Sequence, residues 1–242
     1  MSTTTESFDK VVKERRSVRI YDEQADWDEG AVTRSLERAV LAPNSSNLQL
    51  WEFYRVISPE KKAAVAEMCL GQKAAKTANE LVVIVTRKDK WKERSQFVYE
   101  QAKKGFDGSS PKNEKMVGDY YNKIIPFLYA GDFLGIFSTV KKAIVGVVGL
   151  SRPMAREVSS ADMRVVVHKS AALAAQTFML SMKAEGYDSC PMEGYDSVRV
   201  KKFLGLPSGA EINMIIGVGK ALPEGIYGPR VRVADSDVIF KV

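Results

Sequence analysis

The sequence is poor in the residues that most often carry chemistry. It has one histidine, His168, and two cysteines, Cys69 and Cys190, in 242 residues. Two cysteines so far apart make neither a disulfide framework nor a metal-ligand spacing. One histidine leaves a zinc site short of ligands and would have to serve any Ser-His-Asp chemistry alone. His168 sits inside a long apolar-rich stretch, which suits a structural or surface role. The opening Met-Ser-Thr-Thr-Thr-Glu has neither the basic nor the apolar region of a signal peptide, so the cytoplasm is the expected compartment. Internal repeats and low-complexity tracts are absent.

What is present is ordinary for a globular chain: 45% hydrophobic and 27% charged residues, enough to bury a sizeable core. The formal net charge is +6. A basic excess of this size fits a phosphorylated cofactor, an anionic substrate, a membrane surface or a nucleic acid, and its location decides among them.

Periodicity predicts a helix over 6–15, a second from Asp26 or Asp28 to about Leu41, and a polar turn from Ala42 to Gln49. Trp51–Ile57 alternates as a strand, and Ser58-Pro59-Glu60 starts a helix to about Leu70. Leu81–Thr86 and Ile212–Val218 read as buried strands. Helices are expected over 90–105, 112–128, Ala161–Glu185 and Asp196–Leu204, with Gly108-Ser109-Ser110-Pro111 as a linker and Gly186 as a stop. The alanine-rich side of the long helix places it at the centre of the fold. Strands and helices mix without a βαβα rhythm, which predicts an α+β layer fold. The last stretch, Val231–Val242, reads as extended and apolar in places.

Three clusters and a pair stand out. Arg15, Arg16, Ser17 and Arg19 put three guanidinium groups and a hydroxyl within five residues, a donor set matched to phosphate. Taken alone, the cluster also reads as a solvated basic patch. Pro43-Asn44-Ser45-Ser46-Asn47-Leu48-Gln49-Leu50-Trp51 offers amides and hydroxyls suited to a ribityl chain and a ring edge, or is a plain polar connector. Cys190-Pro191-Met192-Glu193-Gly194-Tyr195 follows the long helix, and Gly194 would let backbone approach a flat ring. The plainer reading is a turn between helices. Gly228-Pro229-Arg230-Val231-Arg232 alternates two arginines in extended chain, pointing the same way. Gly217-Val218-Gly219 lacks the third glycine of a Rossmann turn.

In this order and spacing the clusters resemble the nitroreductase family, from about residue 8 to 234 outside a central insertion. Arg15–Arg19 matches its Arg-Arg-Ser-Val-Arg pattern, Pro43–Trp51 its Pro-Ser-Ser-x-Asn-x-Gln-Pro-Trp pattern, and Pro191–Gly194 its Pro-x-x-Gly. Arg230 and Arg232 match its late basic pair. Asn44 stands where serine is commoner and Leu50 where proline is commoner.

The resemblance implies a nitroreductase-like fold. Its sheet would be central, mostly antiparallel and flanked by helices. The long helix would lie at a homodimer interface, and the C-terminal extension would be exchanged with the partner. It also implies FMN. Arg15, Ser17 and Arg232 would hold the phosphate with Arg230 close by, Arg16 would give backbone contact, and Arg19 would lie nearer the pyrimidine edge. Asn44, Ser45 and Asn47 would come from the other subunit. Pro191, Met192, Glu193 and Gly194 would border the ring, with the Glu193 and Gly194 amides near N5. Gln72, Lys73 and Lys76 fall where the family often supplies a ribityl or ring contact.

The implied activity is that of an NAD(P)H oxidoreductase with nitroaromatic or quinone-like acceptors, in which a hydride passes through flavin N5 in a ping-pong sequence. Flavin carries the redox step, so a chain poor in His and Cys suffices. A reductive dehalogenase or other specialised reductase of the same fold is the alternative. The non-enzyme alternative, a basic nucleic-acid-binding protein, would need aromatics interleaved with the basic patch or a known module, and neither is present.

The insertion at about 103–156, set within a single domain over 1–242, holds nine Lys or Arg and four acids together with long apolar blocks. Asp132, Lys141 and Lys142 interrupt any run approaching the ~20 apolar residues a span requires. Two readings stay open: a helical lid or interface element packed on the domain, or a basic amphipathic element touching an anionic membrane or admitting a lipophilic acceptor. Phe127, Tyr129, Phe133 and Phe137 are the candidates for lining an acceptor pocket.

Overall fold

The computed structural model describes residues 3–106, 108, 110–132 and 135–242. Among these, four antiparallel strands form one sheet: β1 (Trp51–Val56), β2 (Glu80–Thr86), β3 (Asp188–Met192) and β4 (Glu211–Gly219), in the order β1-β2-β4-β3. The β-branched run of β2 is buried along its whole length. Alternation sends its side chains to two cores. Leu81, Val83 and Val85 meet Val65, Ala74, Ala75 and Val200, from α3 (Pro59–Met68), α4 (Lys73–Lys76) and α10 (Ser197–Phe203). Val82 and Ile84 meet Ala171, Ala174, Ala175 and Phe178 of the long helix α9 (Ser160–Ala184), with Ala31 and Val32 of α2 (Glu29–Ala39). The α+β expectation holds as helices on both faces of an antiparallel sheet.

Local chemistry fixes the helix ends. Thr3 and Glu6 form a capping box at the start of α1 (Thr4–Glu14), and Ser159 with Asp162 does the same for α9. Of the two candidate aspartates, Asp28 is the N-cap of α2, its carboxylate accepting from the Gly30 amide. Gly186 stops α9 in the left-handed region, φ 84°.

The structure departs from the sequence reading in three places. Where a turn between helices was expected after α9, the chain first makes β3. Pro191 hides this strand because it lacks a ladder donor, and it is tolerated because β3 is the outer strand of the sheet. The helix expected over 112–128 is broken into α6 (Pro111–Asp119), a π-turn at Tyr120–Ile124 and α7 (Ile125–Tyr129). Pro126 cannot donate to the carbonyl four residues back, and the Ile125 amide reaches Tyr120 instead, which widens the turn. The short α4 was not foreseen at all. Gly217 explains how it fits: a Cβ there would lie 2.5 Å from the Ala74 carbonyl oxygen. Gly217 therefore serves close helix-on-strand packing, and Gly219 the close approach of Tyr21 and Asn79.

Between β2 and α9 the chain makes a helical excursion: α5 (Trp91–Lys104), α6, the π-turn, α7 and α8 (Ile136–Val148). Its inner side is a third core cluster in which Ile125 and Tyr129 meet Leu48, Leu50, Met163 and Val167.

One buried ion pair ties α2 to the sheet. Glu80 is fully buried and accepts two bonds from Arg55, Nε at 2.5 Å and Nη2 at 2.8 Å. The same guanidinium donates to the Thr33 hydroxyl and the Glu29 carbonyl of α2. Arg55→Met leaves the Glu80 charge without its partner and is expected to lower unfolding stability by about 3–5 kcal/mol. Urea denaturation followed by circular dichroism measures this, and an unchanged midpoint would show that the pair carries no weight.

Candidate functional site

The two ends of the chain are brought together by backbone pairing. Residues 17–22 run beside β3 and the segment after β4: the Val18 amide donates to Ser189 at 3.2 Å, Arg19 to Gly225 at 2.8 Å, and Leu222 back to Ile20 at 3.1 Å. Gly225 permits this, since a Cβ there would lie 2.4 Å from the Ile20 oxygen. Farther out, Arg230 donates to the carbonyls of Val12, Lys13 and Arg15, at 3.3, 2.9 and 2.5 Å. These are acceptors left over at the end of α1, where a cation is favoured. Arg16 donates from the other side to the Gly228 carbonyl.

The result is a cleft of about 390 Å³ lined by Arg15, Arg16, Ser17 and Arg19 on one wall and by Tyr227 to Arg232 on the other. Five guanidinium groups border it, and among the described residues none of them forms an ion pair with a carboxylate. Burial, and then the repulsion of Arg230, Arg232 and Arg16, pulls the Arg15 guanidinium below its ordinary value. Such a cluster offers the donor set that phosphate oxygens take, bidentate forks and a hydroxyl. Arg230 differs from its expected role. Its donors are turned to the carbonyls of α1, so it works first as a staple between the chain ends.

The third sequence cluster adjoins this cleft. Burial raises the Cys190 thiol, while Arg19 and Arg15 lie near enough to act against that. The Met192 side chain is in the core, which leaves only its backbone for a ligand, and Pro191 is half-buried. Glu193 and Gly194 are exposed just past β3, and neither amide donates a hydrogen bond within the described residues. Gln72 is committed to this loop: its Nε2 donates to the Gly194 carbonyl at 2.8 Å and to Cys69 at 3.0 Å. Lys76 pairs with Glu67, and Lys73 is exposed.

The second cluster, 44–49, is not among the residues lining the cleft. It is strained: Ser46, Asn47 and Gln49 have φ of 57°, 52° and 49°. Left-handed non-glycine residues cost roughly 1–3 kcal/mol each and persist where surrounding contacts impose them. Those contacts are visible. Asn44 Oδ1 accepts from the Gln49 amide at 2.8 Å, and the Ser45 amide donates to Ser170 on α9. The Ser46 hydroxyl meets the Tyr120 hydroxyl at 2.7 Å, and the Tyr121 hydroxyl donates to the Ser46 carbonyl at 3.0 Å. Asn44, expected as a ligand contact, thus spends its side chain on its own loop, while Ser45 and Asn47 stay exposed. Tyr120 and Tyr121, which sequence reasoning missed, come from the π-turn.

The three described aromatic candidates do not share one wall. Tyr129 is buried and stacks on Trp91, so it is a core residue and not a pocket lining. Phe127 lies beneath Lys141, and Phe137 is exposed on α8. Phe133 lies outside the described residues. His168 is taken up structurally, with Nε2 3.3 Å from Glu211 and Nδ1 3.1 Å from Asn213.

Comparison with known proteins bears on the family and the fold. The sequence model of the nitroreductase family matches residues 12–220. YdgI of Bacillus subtilis, provisionally named an NAD(P)H nitroreductase, is 24% identical over 230 residues, 95% of each chain. A protein of Thermus thermophilus named NADH dehydrogenase is 27% identical over 217 residues, 90% of this chain and 88% of its own. A solved structure from Exiguobacterium sibiricum, in complex with FMN, superposes with a TM-score of 0.70 at 24% identity and covers all of both chains.

The anion site can be tested without assuming a cofactor. Inorganic phosphate at about a hundredfold its Kd is expected to stabilise the folded protein by about 2.7 kcal/mol. Differential scanning fluorimetry reads this as a rise in Tm. The rise is expected to disappear in Arg15→Ala and in Arg232→Ala, and to survive in Arg199→Ala, whose guanidinium is exposed on α10. An equal rise in all four proteins would remove the site.

Proposed function

The chain belongs to the nitroreductase family, and on that premise we propose that it is a homodimeric, FMN-dependent oxidoreductase. It takes electrons from NAD(P)H and passes them to nitroaromatic or quinone-like acceptors. The observation that carries this reading is the cleft in which Arg15 and Arg232, from opposite ends of the chain, border one anion site without a carboxylate partner. The donor set fits a phosphate monoester such as the one that ends FMN. The FMN bound in a solved relative of this fold supports the cofactor, and the names of the relatives support the reductant.

In this reading Arg15, Ser17 and Arg232 hold the phosphate. Arg16 and Arg230 keep the two walls together through Gly228 and the carbonyls of α1. Arg19, beside β3, stands nearest the pyrimidine edge, where a cation favours the anionic reduced ring. The amides of Glu193 and Gly194 face the ring, and Gln72 holds that loop by its carbonyl. Ser45 and Asn47 reach the cofactor from the partner subunit, which accords with their separation from the cleft of their own chain. Bound FMN supplies the redox chemistry, a two-electron exchange through N5 that serves NAD(P)H and the acceptor in turn. The protein binds, orients and stabilises charge, and neither His168 nor the buried Cys69 and Cys190 need act as acid, base or nucleophile. Dimer formation is supported by the uncovered C-terminal arm, where Val231, Val233, Val238, Ile239 and Phe240 are all exposed in the single chain. The whole of 1–242 serves as one flavin-binding unit, with 103–156 as its insertion.

The purified protein is expected to be yellow and to bleach on anaerobic addition of NADH or NADPH. Removal of one phosphate-binding guanidinium, in Arg15→Ala or Arg232→Ala, should weaken FMN binding about ten- to a hundredfold, the weight of one or two charge-assisted bonds. Fluorescence titration of the apoprotein with FMN gives that ratio. A protein that takes up no FMN, or a bound flavin that neither nucleotide reduces, would overturn the proposal.

A further inference from the structure

The excursion differs from the rest of the surface in both charge and polarity. Residues 133–156 contain no carboxylate at all, while Lys141, Lys142, Arg152 and Arg156 fall among them. The helix α8 turns Lys141 and Val145 inward. Lys141 Nζ donates to the Leu128 carbonyl at 3.1 Å and lies 5.7 Å from the centre of the Phe127 ring, which fastens α8 beside α7. This attachment leaves Ile136, Phe137, Val140, Ile144, Val147 and Leu150 47–88% exposed. At 3.6 residues per turn, the five that lie within α8 fall in one arc of about 100°. Lys142 on the helix and Arg152 just past it are exposed, as are Lys112 and Lys115 on α6.

We propose that α8 docks the protein onto an anionic lipid surface, its apolar arc set among the acyl chains, with Lys142 on the far side of the helix and Arg152 just past its end supplying the attraction to the headgroups. The apolar stripe requires a cover that is not water. Charge selects which cover: a basic, carboxylate-free segment attracts a negatively charged bilayer face. Spanning is excluded by length. The 13 residues of α8 reach about 20 Å, against a hydrocarbon core of about 30 Å, and no helix among the described residues is long and apolar enough to cross. The helix therefore lies in the plane of the interface. The inference stands apart from the flavin reading, but it adds to it: a docked reductase would meet lipophilic quinones where they dissolve.

Flotation of the purified protein with vesicles tests it. Binding is expected to vesicles of phosphatidylcholine mixed with phosphatidylglycerol at low ionic strength. It should fall by roughly tenfold on vesicles of phosphatidylcholine alone, and likewise at about 1 M salt, where the screening length is only about 3 Å. The double substitution Ile144→Glu and Val147→Glu, at exposed positions outside the flavin site, should abolish binding without altering the flavin spectrum or the elution volume on size exclusion. Three results would overturn the proposal: no binding to the mixed vesicles, equal binding by the double variant, or a changed oligomeric state in that variant, which would give the face to another copy of the chain.

Discussion

Everything in the site rests on holding like charges together. Arg15, Arg16, Arg19, Arg230 and Arg232 border one cleft, and their mutual repulsion opposes the fold that gathers them. Backbone contacts overcome it. Residues 17–22 are zipped along β3 and the segment after β4, Gly225 allows that close approach, and Arg230 spends its donors on the carbonyls of α1. A guanidinium bound to carbonyls keeps its charge but loses its freedom, so Arg230 holds the second wall of the cleft beside the first. This distinguishes the basic residues at the two chain ends from a scattered solvated patch and supports the proposed anion site.

A second constraint couples the excursion to the polar loop. Of the three left-handed, non-glycine residues within 46–49, Ser46 is held by a hydroxyl pair to Tyr120 and by a bond from Tyr121, both on the π-turn. The π-turn exists because Pro126 withholds its donor, so one proline shapes the segment that imposes strain on a loop some eighty residues earlier in sequence. Any displacement of α6 and α7 is transmitted to that loop directly. The same excursion carries α8, so the surface proposed to meet lipid and the loop proposed to meet flavin share a mechanical support.

Much of this was legible in the sequence, for identifiable reasons. The strands β1, β2 and β4 and the helices α2, α3, α9 and α10 announce themselves by alternation, capping residues and apolar stripes, which are local signals. The arginine clusters were also legible, because three guanidinium groups in five residues are rare enough to matter. What stayed hidden depends on tertiary context. β3 was masked by Pro191, tolerable only because the strand proves to be on the edge. Arg230 was assigned to the anion, since nothing in the sequence reveals that the end of α1 would present it with three carbonyls. Gln72 and Asn44 were taken for ligand contacts, yet both close hydrogen bonds within the protein, on Gly194 and Gln49. Tyr129 was read as a pocket wall because exposure cannot be seen from a run of aromatics.

The uncovered surfaces of the single chain bear on how cofactor binding and assembly are linked. The segment from Ile226 to Val242 is exposed throughout, including Val231, Val233, Ile239 and Phe240, so its own chain does not account for its apolar side chains. Arg230 and Arg232 lie at the root of that arm. In the proposed dimer, burying the arm on the partner would fix the position of its root, and with it the second wall of the anion cleft. An anion held between Arg15 and Arg232 would in turn restrain the arm. Each event removes conformational freedom that the other would otherwise have to remove, so the two are expected to be mutually reinforcing. In that reading Arg232, which would close the cleft, also belongs to the arm that would join two copies of the chain.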